Sequence, residues 1–151
     1  MRSDALIETL AAVFERAPGL AAAMRLSGDE TPRAVIAKAR DALERMSEPE
    51  RIAVLDAHPR IGADPASLSI LSRREQGGDA ADAATLRELA QLNDAYEKKF
   101  GFRFVIFVAG RTKREIVPLL RARLANTREA ELMAGLDEFL AISLDRLERA
   151  R

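Results

Sequence analysis

Apolar side chains return every three or four residues along almost the whole chain, the spacing of one face of an α-helix. Residues 4–17 set Leu6, Ile7, Leu10, Val13 and Phe14 on one stripe, and Pro18-Gly19 ends it. A short apolar piece, Leu20 to Leu26, follows. Thr31 then reads as an N-cap with Pro32 at the first helical position. The helix it opens would bury Val35, Ile36, Leu43 and Met46. In "SEPER", Ser47 can cap the amide of Glu50 while Glu50 reaches back, the capping-box arrangement. That helix carries Ile52, Val54 and Leu55. It must end near His58, because proline disfavours the α conformation in the residue before it.

Residues 60–72 read as irregular, with Gly62 and Pro65 as punctuation. Gly77-Gly78 breaks any helix there, and Asp79 or Asp82 can cap the next. The pattern places that helix from about Ala83 to Phe100 on Leu86, Leu89, Leu92, Tyr96 and Phe100, with Gly101 as its stop. "FRFVIFVAG" breaks the helical rhythm: Phe104 to Val108 are all apolar and rich in β-branched and aromatic types. No second strand-like run exists to pair with it. The expectation is a buried extended connector near residues 103–109. Its main-chain groups must find other partners, and a ligand could be one. Thr112 and Glu115 make another capping box, for a helix to about Ala125 in which Pro118 is a source of a kink. Asn126-Thr127 separates it from a last helix, about 128–149, with Leu132, Leu136, Phe139, Leu140, Ser143 and Leu147 on its buried stripe. There is no repeat, low-complexity tract or linker. The expected fold class is all-α, one compact multi-helix domain over residues 1–151.

Composition narrows the chemistry. Lys+Arg and Asp+Glu balance at 24 each, so no strong field draws in nucleic acid or an anionic membrane. There is no cysteine and one histidine, which excludes thiolate nucleophiles, cysteine-based zinc sites and a multi-histidine metal centre within one chain. No acidic cluster suits a carboxylate-only Mg²⁺ site, so no metal is expected. "MRSDALIETLAAVFER" is acidic and amphipathic, unlike a secretory signal, and no apolar stretch reaches the roughly 18 residues of a membrane span. A cytoplasmic location is the simplest expectation.

Four places carry candidate chemistry. His58 is either a helix-capping histidine, favoured by the negative helix end, or a general acid–base whose aim is stiffened by Pro59. "SRREQ" packs Ser72, Arg73, Arg74, Glu75 and Gln76 beside two glycines. It is either a solvated helix face or a donor and acceptor set for a small polar ligand, with Ser72, Glu75 and Gln76 on one side and Arg73 partly away. Ile106, Phe107, Val108, Ala109 and Gly110 are a core segment or a main-chain wall, Gly110 permitting close approach. Arg146 flanks the last buried stripe. The residues alone favour a rim arginine paired with Asp145, Glu148 or Glu138 over a carboxylate clamp.

Together these pieces resemble the 2-oxo-4-hydroxy-4-carboxy-5-ureidoimidazoline (OHCU) decarboxylases of urate degradation. The likeness rests on "AHPRIG", "LSRREQGG", "LNDAYEKKFGFRFVIFVAGR", "RLANTREAEL" and "ISLDRL", in that order across nearly the whole chain. It departs at Arg103, where members commonly have proline, which would loosen the turn before the connector. The resemblance implies an all-helical fold, no cofactor, a small ureidoimidazoline substrate and (S)-allantoin as product. Members are often dimers, so a homodimer is one candidate assembly. It also implies that His58 is the catalytic imidazole and that Glu75 helps to bind the ring and ureido groups; the mechanistic expectation is that Glu75 also accepts a hydrogen bond from His58 and tunes it. Pro59, Ser72, Gln76 and the 106–110 main chain would line the substrate site, and Arg73 and Arg74 would add backbone or rim contacts. Arg146 would face the substrate's carboxylate or ring carbonyl. Two rivals stay open: a non-enzymatic helical binding module, and a related cofactor-free lyase or hydrolase on another small heterocycle.

Overall fold

The computed structural model describes residues 9–64, 68–76 and 81–150. The described part of α1 covers 9–13 and is followed by α2 (Leu20–Ala23), α3 (Pro32–Arg45) and α4 (Glu48–Asp56). Then come α5 (Ile70–Gln76), α6 (Ala83–Phe100), α7 (Lys113–Arg123) and α8 (Arg128–Arg149). No strand occurs among the described residues. Leu6, Ile7, Pro65, Gly77, Gly78 and Asp79, used in the pattern above, lie outside them.

Local chemistry sets most of the helix starts. Thr31, Asp82 and Thr127 each accept from the N–H three residues on. Ser47–Glu50 and Thr112–Glu115 both close complete capping boxes. Each such cap contributes on the order of 1 kcal/mol. Gly101 ends α6 in the left-handed conformation.

α8 packs on α3 and α4, and α6 pairs with α7. Contact between α4 and α8 is close because position 135 carries no side chain. A Cβ there would sit 3.2 Å from Leu55 Cδ1. One turn further along α8, Phe139 meets the His58 ring edge-on, with centroids 5.2 Å apart. The absence of a side chain at 135 thus lets α4 deliver its C-terminal histidine onto α8.

The run after α6 is irregular from 103 to 108, with Phe104, Val105 and Ile106 buried. Side chains supply several of its missing partners. Arg123 donates to the Val105 carbonyl at 2.8 Å, Arg111 Nε to that of Val108 at 3.1 Å, and the Phe107 N–H donates to Glu138 at 3.3 Å. Arg123 also lies 4.6 Å from the Phe104 ring centroid. It is held there by Glu131, which is fully buried and takes bonds from Arg123, Tyr96 and Asn126. Burial and the Glu131 bond raise the Tyr96 phenol above its ordinary range.

Several details differ from the hydrophobic pattern. The first helix does not reach residue 17. Residues 14–16 form a turn in which Glu15 and Arg16 both have φ near 54°. α7 stops at Arg123 rather than Ala125. Ile36, Met46, Leu92, Leu136 and Leu147 are half-buried, and Leu86 is exposed. Ala39, Ala42, Thr85 and Asn93 occupy interior positions instead, because helices in close contact leave room for small or hydrogen-bonded groups. Asn93 shows the reason directly, donating to the Ile61 carbonyl at 3.2 Å.

Candidate active site

His58 follows the end of α4 and is buried, 5% exposed. No described residue hydrogen-bonds either ring nitrogen. Burial, reinforced by the Arg146 charge and opposed by Glu15, pushes its pKa down to about 4. The imidazole is therefore neutral at pH 7. It lines a cavity of about 250 Å³ together with Pro59, Ser72, Glu75 and Gln76. The 104–110 main-chain segment supplies a further wall, turned at its end by left-handed Ala109 and Gly110. Ile106 borders this cavity, and its own N–H and C=O have no partner among the described residues.

α5 supplies the polar wall. Ser72 and Gln76 are buried, Glu75 is half-buried, and Arg73 points away and does not line the cavity. Gln76 Oε1 accepts from the Gly62 N–H at 3.1 Å, which leaves its amide NH₂ as the free end. Arg74 reaches the rim. Asp145 and Arg149, an ion pair one turn apart on α8, also line the cavity and were not singled out by sequence.

Arg146 is not a rim arginine. It is 2% exposed and bonds neither Asp145, Glu148 nor Glu138. Instead its Nε and Nη2 grip Glu75 at 2.9 and 2.7 Å. Nη2 also donates to Ser72 and Glu15, both at 3.1 Å, and Nη1 to the Val13 carbonyl at 3.1 Å. Every guanidinium nitrogen is thus engaged with protein, and Arg146 lies behind Glu75 rather than on the cavity wall. Glu75 spends its oxygens on this fork and makes no hydrogen bond to His58.

Glu15 is the member that sequence reading missed. Its carboxylate accepts from Ser69 at 2.8 Å, from Ser72 and from Arg146. Burial raises its pKa, but the two hydroxyls and the guanidinium outweigh that and hold it below the ordinary value. Its left-handed backbone breaks the helical rhythm that hid it. Arg103 also departs from expectation. It tightens the turn before the connector: its N–H donates to Asp56 Oδ1 at 3.0 Å and its Nη1 to the His58 carbonyl at 2.8 Å.

A family model described as OHCU decarboxylase matches residues 1–148. The chain belongs to this family. The relatives it resembles include the uric acid degradation bifunctional protein PucL of Bacillus subtilis, 32% identical over 97% of this chain. The 2-oxo-4-hydroxy-4-carboxy-5-ureidoimidazoline decarboxylase of Amia calva is 30% identical, with 96% of this chain and 87% of that protein covered. The chain spans 22–40% of the length of the bifunctional relatives it matches, PucL at 30%. A crystal structure of an OHCU decarboxylase in the presence of (S)-allantoin superposes with a TM-score of 0.77 at 29% identity, covering 94% of this chain and 96% of the other.

Proposed function

We propose that this chain decarboxylates 2-oxo-4-hydroxy-4-carboxy-5-ureidoimidazoline to (S)-allantoin without a cofactor. The observation that carries the reading is a buried, neutral histidine on the wall of a small cavity, in a chain of this family. Ligand pockets for drug-sized molecules run to roughly 300–1,000 Å³, so a volume of about 250 Å³ suits a small heterocycle.

The substrate itself supplies the electron sink. As the bond to the carboxylate breaks, its electron pair moves toward the conjugated ring imine. His58, neutral at the start, accepts the proton of the ring hydroxyl, which becomes a carbonyl. The hydroxyl proton then returns to the ring carbon that bears the ureido group, on one face only, and a second proton, from solvent, neutralises the ring nitrogen that took the electron pair. General acid–base assistance of this kind contributes roughly 10²- to 10⁴-fold. The main chain at Ile106 and the Gln76 amide present fixed groups to the ring and ureido atoms, a positioning effect. Pro59 walls the pocket beside the imidazole. Glu75, locked in the Arg146 fork, offers a fixed acceptor edge rather than a mobile base. In this reading Arg146 serves the substrate through Glu75 and Ser72, and Arg74 and Arg149 are the rim cations that an incoming carboxylate meets.

The test is circular dichroism of the product formed from urate oxidised in place. A growing optical signal on adding the protein is expected. A racemate formed at the unaided rate would overturn the reading. The proposal extends to a cytoplasmic homodimer, which sedimentation of the purified chain and cell fractionation check.

A further inference from the structure

The imidazole of His58 is not held by its own nitrogens, since no described residue bonds them. Its aim depends on Phe139 against one edge and on the main chain that carries it. That main chain leaves α4 at Asp56, where the helix end frees its carbonyls. Arg103 gathers them. Its Nη1 donates both to the Asp56 carbonyl at 3.0 Å and to the His58 carbonyl at 2.8 Å. Its backbone N–H donates to Asp56 Oδ1 at 3.0 Å. The His58 carbonyl belongs to the peptide bonded to Pro59, whose ring already restricts rotation on the other side. One guanidinium therefore completes the restraint on the peptide plane next to the imidazole. Arg103 also begins the irregular run whose next residues, 104–110, wall the cavity. It joins the two sides of the site across 45 to 47 positions of sequence.

We propose that Arg103 is the positioning residue of His58: its guanidinium fixes the peptide that aims the imidazole, and its N–H ties the cavity's main-chain wall to the same turn. This rests on His58 being the proton-transfer group. Arg103 itself does not line the catalytic cavity. It faces a separate surface hollow shared with Pro59 and Arg60.

The chain has one histidine, so the long-range ¹H–¹⁵N imidazole correlation of the full-length labelled protein reports His58 without assignment. In Arg103→Leu the signal is expected to broaden or split. Turnover should lose about tenfold in kcat, less than the roughly hundredfold of an ångström-scale misplacement. KM should stay within about twofold, since substrate contacts are untouched. A purely structural role would lower the melting temperature and leave kcat per folded molecule and the imidazole signal as in the parent. That outcome overturns the proposal. Should the leucine variant fail to fold, Arg103→Lys decides. Its stem stops one atom short of the two carbonyls, so parental kcat with a parental imidazole signal would be equally fatal. If the parent itself turns over nothing, the decarboxylase reading falls, and the imidazole spectra alone judge the role of Arg103.

Discussion

Arg146 and Glu75 face each other in a two-bond fork, 2.9 and 2.7 Å long, across 71 residues of sequence. The arginine is almost fully buried, and the same guanidinium serves Glu15. Removing it would strand two carboxylates at one point. Arg146→Met is therefore expected to cost about 3–5 kcal/mol of stability, as when one member of a buried ion pair is deleted. Urea unfolding measures this directly. Loss of turnover with unchanged stability would instead place Arg146 in contact with substrate alone.

His58 sets a pH dependence with a definite sign. Its ordinary pKa is near 6.5, and in the folded chain it is about 4. Between those values the unfolded chain holds a proton that the folded chain refuses. Stability from this group is whole above pH 6.5 and declines as pH falls toward 4, by roughly 1.4 kcal/mol per pH unit inside that window. Unfolding midpoints at pH 7 and 5 should diverge more for the parent than for His58→Leu. Equal divergence would mean the imidazole titrates normally. The acid limb of kcat/KM should likewise lie below pH 6.5.

Gly135 spaces α4 from α8. In Gly135→Ala the gain in helix propensity, about 1 kcal/mol, offsets the push on Leu55, so stability should scarcely move. Gly135→Val adds bulk with less of that gain and should cost about 1–3 kcal/mol. Because His58 lies three residues past Leu55, turnover of the valine variant should fall more than its folded fraction does. Activity that tracks folded fraction alone would show that the spacing does not reach the histidine.

The sequence made the local devices readable. Ser47 with Glu50 and Thr112 with Glu115 are pairs three residues apart, and their hydrogen bonds follow from spacing. The connector was legible as strand-like residues lacking a partner strand. Its actual partners were not, since Arg123 lies 18 residues beyond Val105 and nothing local links them. The partners of Arg146, and Glu15 altogether, were hidden for the same reason. Hydrophobic patterning assigns charged residues to the surface, and only the fold brings these two to one point with Glu75 and Ser72. Glu15 was further masked because the preceding helix ends before it, through a left-handed turn that the apolar stripe does not predict.

Glu15 and Glu75 set two carboxylates against one guanidinium, and the nearby imidazole is neutral, so this knot carries one surplus negative charge. The cations of the cavity stand at its threshold: Arg74, with no ion pair among the described residues, and Arg149, shared with Asp145. An anion is thus drawn from outside by a field that salt softens over about 8–10 Å, and is opposed once within. In the proposed reaction, a molecule that sheds its carboxylate there would leave without that opposition, so arrival and departure would be sorted by different ends of the same hollow.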